Sequence, residues 1–165
     1  MSNETPLVGI ILGSKSDLPA MEGCTEMLEK FGVPYELVVH SAHRNPEQVA
    51  AWAKSAEERG LKVIIGAAGK AAALAGVVAA HTPLPVVAVP MKTSDLGGMD
   101  SLLSTVQMPS GMPVATVAID GSANAALLAA QILAVEDAAL AEKLNAMRRA
   151  QHDAVIAKDA ALVIE

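Results

Sequence analysis

Four short stretches of this 165-residue chain gather residue types that have chemical uses. The first is LGSKSD, Leu12 to Asp17. Gly13 permits a tight turn, Ser14 and Ser16 supply hydroxyl donors, and Asp17 stands where a helix N-cap belongs, with Pro19 in the first turn. Backbone N–H groups at a helix start favour an anion such as phosphate. The same residues equally describe an ordinary Ser/Asp-capped turn. The second stretch is HSAHRNPEQ, His40 to Gln48, in which Asn45 reads as the N-cap, Pro46 as the first helical residue and Gln48 as the capping-box partner. Ser41, His43 and Arg44 then occupy the loop before that cap. Histidine exchanges a proton near neutral pH, and arginine grips phosphate with its planar fork. His40 ends the preceding apolar run and reads as structural.

The third stretch, GAAGKAAALAG from Gly66 to Gly76, has a Gly-Lys pair but is not a triphosphate loop. That loop needs G-x-x-x-x-G-K-[ST], whereas Gly66 and Gly69 are three apart and Ala71 follows Lys70, leaving no hydroxyl for Mg²⁺. Gly69 would let the backbone approach a flat ligand, and Lys70 would hold an anion or a carboxylate. The fourth stretch, Met99 to Ile119, reads as helix, exposed turn and strand, with Asp100 or Ser101 as the helix cap and Asn124 near the start of the next helix. His81 and His152 have no partner by spacing and read as structural. Cys24 lies in a helical pattern and reads as a small buried residue, not a catalytic thiol.

What must position these residues is an alternation of short apolar runs with helical patterns. PLVGIIL, YELVVH, LKVIIG, PVVAVP and VATVAI are separated by LPAMEGCTEMLEKFG, PEQVAAWAKSAEERG, an Ala-rich segment to about Ala80, and LGGMDSLLSTVQ. Unbroken Val/Ile/Leu strands between helices predict a parallel sheet covered on both faces. The expectation is a three-layer αβα domain with about five strands, Rossmann- or flavodoxin-like, whose ligand crevice lies beyond the carboxyl ends of the strands. Gly32 and Gly60 fall at helix C-caps. No linker divides the chain, so residues 1–165 read as one domain. A tail helix from Glu136 to about Lys158 follows the completed unit, with apolar Leu140, Leu144, Met147, Ala150, Ala154 and Ile156; of capping its own domain or packing on a neighbouring subunit, the expectation is the second, given so much small-residue surface.

Composition narrows the partners. A net charge of −6 argues against nucleic acid, which needs clustered Lys and Arg to neutralise phosphates. No uninterrupted apolar stretch approaches the ~20 residues of a membrane span, and MSNETPLVGI lacks a basic signal-peptide start. One cysteine excludes an intrachain disulfide and offers no zinc spacing. The expectation is a soluble cytoplasmic domain. Only Phe31, Trp52 and Tyr35 are aromatic, which disfavours a flavin-binding electron carrier.

Taken together, GSKSD, SAHRNP and SLLSTVQMPSGMPVATVAI followed by ANAALLAAQIL resemble the N5-carboxyaminoimidazole ribonucleotide mutase and AIR carboxylase (PurE) family, over about Leu7 to Leu133. The resemblance implies a flavodoxin-like fold, assembly into a homo-octamer with sites at subunit contacts, and a step of purine biosynthesis that moves a carboxylate from the exocyclic N5 to ring carbon C4. It implies that Ser14, Ser16 and Arg44 hold the 5′-phosphate and Asp17 the ribose hydroxyls. Ser41 and Gly69 would line the base pocket, with Gly13 and Lys70 also in the substrate site and His43 as acid/base catalyst. CO2 would be the intermediate, and no metal, flavin or nucleoside triphosphate is implied. The third stretch departs from the pattern. Mutases read G-G-A-A-H-L-P-G where this chain has GKAAALAG, so Ala73 replaces a histidine, Ala75 a proline and Lys70 a small residue. Direct carboxylases read closer to G-[KR]-S-N-A-L-S-G. Three readings follow: mutase, CO2-dependent carboxylase, and a non-catalytic nucleotide-binding relative.

Overall fold

The computed structural model describes residues 5–162. The five apolar runs form β1 (Val8–Leu12), β2 (Tyr35–Val39), β3 (Val63–Ala68), β4 (Val86–Pro90) and β5 (Ala115–Thr116). All pair in parallel, in the order β2-β1-β3-β4-β5. This is the flavodoxin-like order, and its switch point lies at β1 and β3.

Successive side chains of a strand point to opposite faces, which sorts the apolar residues into two cores. Val8, Ile10 and Leu12, with Val63, Ile65, Val87 and Val89, pack against α1 (Glu22–Phe31), α5 (Ser122–Leu133) and the start of α6 (Ala138–Ala160). Ile11, Ile64, Val86 and Ala88 pack against α2 (Pro46–Lys54) and α3 (Leu74–Ala79). Small residues set the spacing on this second face. A Cβ placed on Gly66 would lie 3.3 Å from Ala75 Cβ, so the two glycine-alanine stretches of the loop region are first a close-packed joint between β3 and α3.

Three elements differ from the expected bounds. The second helix stops at Lys54 instead of running to Gly60. The Ser55 hydroxyl bonds back to Ala51 C=O at 3.0 Å, and Arg59 takes the Trp52 C=O at 3.1 Å while pairing with Glu36, so the chain turns. Only two residues of VATVAI pair as β5, because this edge strand is bounded by Pro113 and a turn at Asp120 with φ +54°. The tail helix begins at Ala138, capped by Asp137, whose carboxylate accepts the Leu140 N–H at 2.9 Å. Its Leu140 and Leu144 are buried and Met147 packs on the core, so its first half caps its own domain. Ala150, Ala154 and Ile156 are exposed.

Candidate active site

The loops after β1, β2, β3 and β4 leave the sheet at the same edge and enclose a cavity of about 560 Å³, within the usual range for small-ligand sites. Every candidate substrate and catalytic residue read from the sequence lines it: Gly13, Ser14, Ser16 and Asp17 from the first loop, Ser41, His43 and Arg44 from the second, Gly69 and Lys70 from the third.

The first loop is not a simple helix cap. Ser14, not Asp17, is the N-cap, of a single 3-10 turn at Lys15–Asp17, and a second such turn at Pro19–Met21 delays α1 until Glu22. Pro19 suits that second start, having no N–H to satisfy. The Ser16 hydroxyl donates to Ser14 Oγ at 2.8 Å and lies 3.3 Å from an Asp17 carboxylate oxygen. Burial pushes the Asp17 pKa above the ordinary carboxylate value; the Ser16 hydrogen bond opposes this and the charge of Asp120 adds to it.

The second loop is held by Asn45, which occupies the N-cap position without capping. Its Oδ1 instead accepts the Ser41 N–H at 2.6 Å, and its Nδ2 lies 3.2 Å from His40 Nδ1. The expected capping box is replaced by a brace within the loop, because closing the Ser41–Asn45 turn brings that N–H within reach before the helix does. His40 is structural, as expected. Arg44 ties two loops together: its Nη2 donates to Gly13 C=O at 3.2 Å and its Nε to Ser41 Oγ at 3.4 Å. His43 is exposed on the cavity wall, where an acid/base group must reach its ligand.

The third loop carries Lys70 at φ +56°, an uncommon conformation for a residue with a side chain. Hydroxyls from α4 (Met99–Val106) hold it there. Ser104 accepts the Ala72 N–H at 3.0 Å and shares its proton between the carbonyls of Asp100 (2.7 Å) and Lys70 (3.1 Å). Thr105 donates to Ala72 C=O at 3.3 Å, and the fully buried Ser101 donates to Met91 C=O at 2.6 Å. Neither Asp100 nor Ser101 caps α4 as expected: Asp100 accepts the Thr93 hydroxyl at 2.8 Å, and Gly98 takes the cap position. Lys70 Nζ meets Asp95 Oδ2 at 2.6 Å, linking the third loop to the fourth.

The fourth loop went unread in the sequence. Lys92, Thr93 and Ser94 line the cavity directly after β4, and Asp120 fixes Lys92 by accepting its N–H at 2.8 Å. The signal was present, since KTSD follows the Val-rich run PVVAVP as SAHR follows YELVVH. Cys24 is fully buried and its thiol is pushed up to about 12 by that burial, so it supplies no thiolate. His81 and His152 do not line the cavity. Among the described residues no group of three His, Cys, Asp or Glu is placed to hold a metal ion, and no helix is long and apolar enough to cross a membrane.

Comparison with known proteins decides the family, since a family model described as AIR carboxylase matches residues 7–154. The chain belongs to the AIR carboxylase family. It is 59% identical to the N5-carboxyaminoimidazole ribonucleotide mutase of Pyrococcus horikoshii over 145 residues, covering 88% of this chain and 82% of that one. It is 54% identical over 153 residues to the phosphoribosylaminoimidazole carboxylase of Saccharomyces cerevisiae, covering 93% of this chain but 27% of that longer protein. The crystal structure of Treponema denticola PurE superposes with a TM-score of 0.87 at 32% identity, covering 96% of this chain and 99% of that one. The relatives from Pyrococcus horikoshii, Synechocystis and Thermotoga maritima, matched along most of their length, carry the mutase name, while the Saccharomyces cerevisiae and Vigna aconitifolia carboxylases are longer chains.

Proposed function

We propose that this chain is an N5-carboxyaminoimidazole ribonucleotide mutase of de novo purine biosynthesis. The observation that carries this is the convergence of GSKSD, SAHR and Gly69-Lys70, from three separate strand ends, on one cavity of ligand size. Ser14, Ser16 and Arg44 take the 5′-phosphate, with Gly13 backing the turn and Asp17 on the ribose. Ser41 and Gly69 line the base, and Lys70 holds an anionic group at the far end.

His43 carries the proton. Breaking the N5–carboxyl bond leaves its electron pair on N5, which takes up one proton and releases CO2. The ring C4 then attacks the retained CO2 and loses its own proton as the ring regains aromaticity. One proton is taken up and one is given back, so a single exposed imidazole serves both steps. Holding CO2 beside C4 removes a bimolecular encounter. The chemistry asks for no cofactor.

Assembly into a homo-octamer and a cytoplasmic location belong to the same reading. The uncovered apolar side chains of α4 (Met99, Leu103, Val106) and of α6 (Val155, Ile156) support contacts between subunits. Direct carboxylation of aminoimidazole ribonucleotide by CO2 is the second reading, favoured by the GKAAALAG loop, where Ala73 lines the cavity in place of a family histidine. Purified protein assayed with the N5-carboxy compound, and separately with aminoimidazole ribonucleotide plus bicarbonate, tests both. Turnover of the N5-carboxy compound is expected; turnover in the bicarbonate assay alone overturns the mutase, and turnover in neither leaves a nucleotide-binding relative.

A further inference from the structure

Lys70, on the cavity wall, pairs with Asp95 of the loop after β4, and its backbone and its side chain are held very differently. The Lys70 backbone is fixed in its left-handed conformation, with Ser104 on its carbonyl and on the next-but-one amide. Its ammonium, by contrast, is held among the described residues by Asp95 alone, at 2.6 Å, and the two side chains are 69% and 62% exposed. Water competes for such a pair, so it exchanges partners readily. Asp95 holds the Lys70 pKa above its ordinary value through its hydrogen bond and charge, and Lys70 holds that of Asp95 below, so both are fully charged near neutrality.

The cavity wall carries three cations, Arg44 on one side of β1 and Lys70 and Lys92 on the other. Arg44 follows β2, Lys70 follows β3, and β1 lies between them. Two strand spacings separate Arg44 and Lys70 by roughly 10 Å. That arrangement suits a ligand with a phosphate at one end and a carboxylate on a flat ring at the other. Ala71, Ala73 and Leu74 wall the Lys70 end and offer no competing charge.

We propose that Lys70 reads the transferable carboxylate of the substrate, and that Asp95 is the resident carboxylate it releases to do so. The proposal rests on the ribonucleotide reading above and deepens it: the site selects carboxylated from uncarboxylated ribonucleotide by exchanging an internal carboxylate for the ligand's own.

Affinities measured by calorimetry for 4-carboxy-5-aminoimidazole ribonucleotide and for aminoimidazole ribonucleotide, which lacks the carboxylate, test it. Lys70→Met should weaken binding of the carboxylated compound roughly tenfold, the factor of one charge-assisted hydrogen bond. The uncarboxylated compound should stay within about a factor of two, since it offers Lys70 no charge. Asp95→Asn should tighten the carboxylated compound alone, by roughly threefold, by removing a competitor. Equal weakening of both compounds by Lys70→Met, or no weakening of either, overturns the proposal; so does an Asp95→Asn variant whose affinity for the carboxylated compound is unchanged or lower. Should Lys70→Met not fold, Asp95→Asn decides alone on the same criterion. Wild-type protein that binds neither compound would instead sink the ribonucleotide reading itself, so the two failures are distinct.

Discussion

His43 and Arg44 are sequence neighbours with opposite situations. Arg44 is oriented along the cavity wall by its bonds to Gly13 and Ser41, while His43 makes no hydrogen bond among the described residues and stands exposed at that wall. His43→Asn should therefore lower turnover by about 10²–10⁴-fold, the usual share of general acid–base catalysis, while leaving ribonucleotide affinity and the melting temperature close to wild type. A substitution that reduced affinity and turnover in parallel would contradict the catalytic role. Asp17 gives a different prediction. Its pKa is raised chiefly by burial, so the folded state favours the protonated form. Its contribution to stability is then full below the unfolded carboxylate pKa and is lost as pH rises through the folded value. Asp17→Asn should melt at a higher temperature than wild type at pH 7, and the difference should shrink on acidification below the carboxylate range. Ribonucleotide affinity should fall in the same variant, the common trade of stability for a site.

At the scale of the element, α4 is the joint of the site. Its Ser101, Ser104 and Thr105 are one turn or one residue apart, and each bonds backbone of a loop after β3 or β4. Ser104→Ala leaves the Ala72 N–H and Lys70 C=O without that partner, and should cost about 1–3 kcal/mol in chemical denaturation. KM should rise more than kcat falls, because the Lys70 loop binds and does not carry the proton. Ser104→Thr, which keeps the hydroxyl, should recover most of both. The hydroxyls of SLLST could be read in the sequence as helix-compatible polar residues, but not as a brace. The Ala72 partner of Ser104 and Thr105 lies more than 30 residues away, and only the packing of α4 beside β4 brings them together.

Over the whole molecule, two helices leave apolar side chains uncovered. Val155 and Ile156 are 65% and 56% exposed on the half of α6 that leaves the domain, and Met99, Leu103 and Val106 form an i, i+4, i+7 stripe on α4. In the proposed homo-octamer, Ile156→Glu should shift the protein toward smaller species in light scattering without lowering the melting temperature of the isolated domain. Leu144→Ala, on the buried half of the same helix, should instead destabilise the fold by about 2–5 kcal/mol. An assembly indifferent to Ile156→Glu would remove α6 from the contacts.

The apolar runs and their spacing determined the parallel sheet, because strands buried on both faces leave no polar positions to disguise the pattern. They also determined where ligands enter, and the motifs at three strand ends named nine of the cavity's residues. Tertiary structure alone decided the rest. The strand order placed β3 and β4 beside β1, which put Lys92, Thr93 and Ser94 into the wall and Asp95 against Lys70. Asn45, Asp100 and Ser101, the expected caps, instead brace the nearby loops that precede their helices. A short polar side chain serves whichever donor or acceptor comes within reach, and that choice is made by how the folded loop closes.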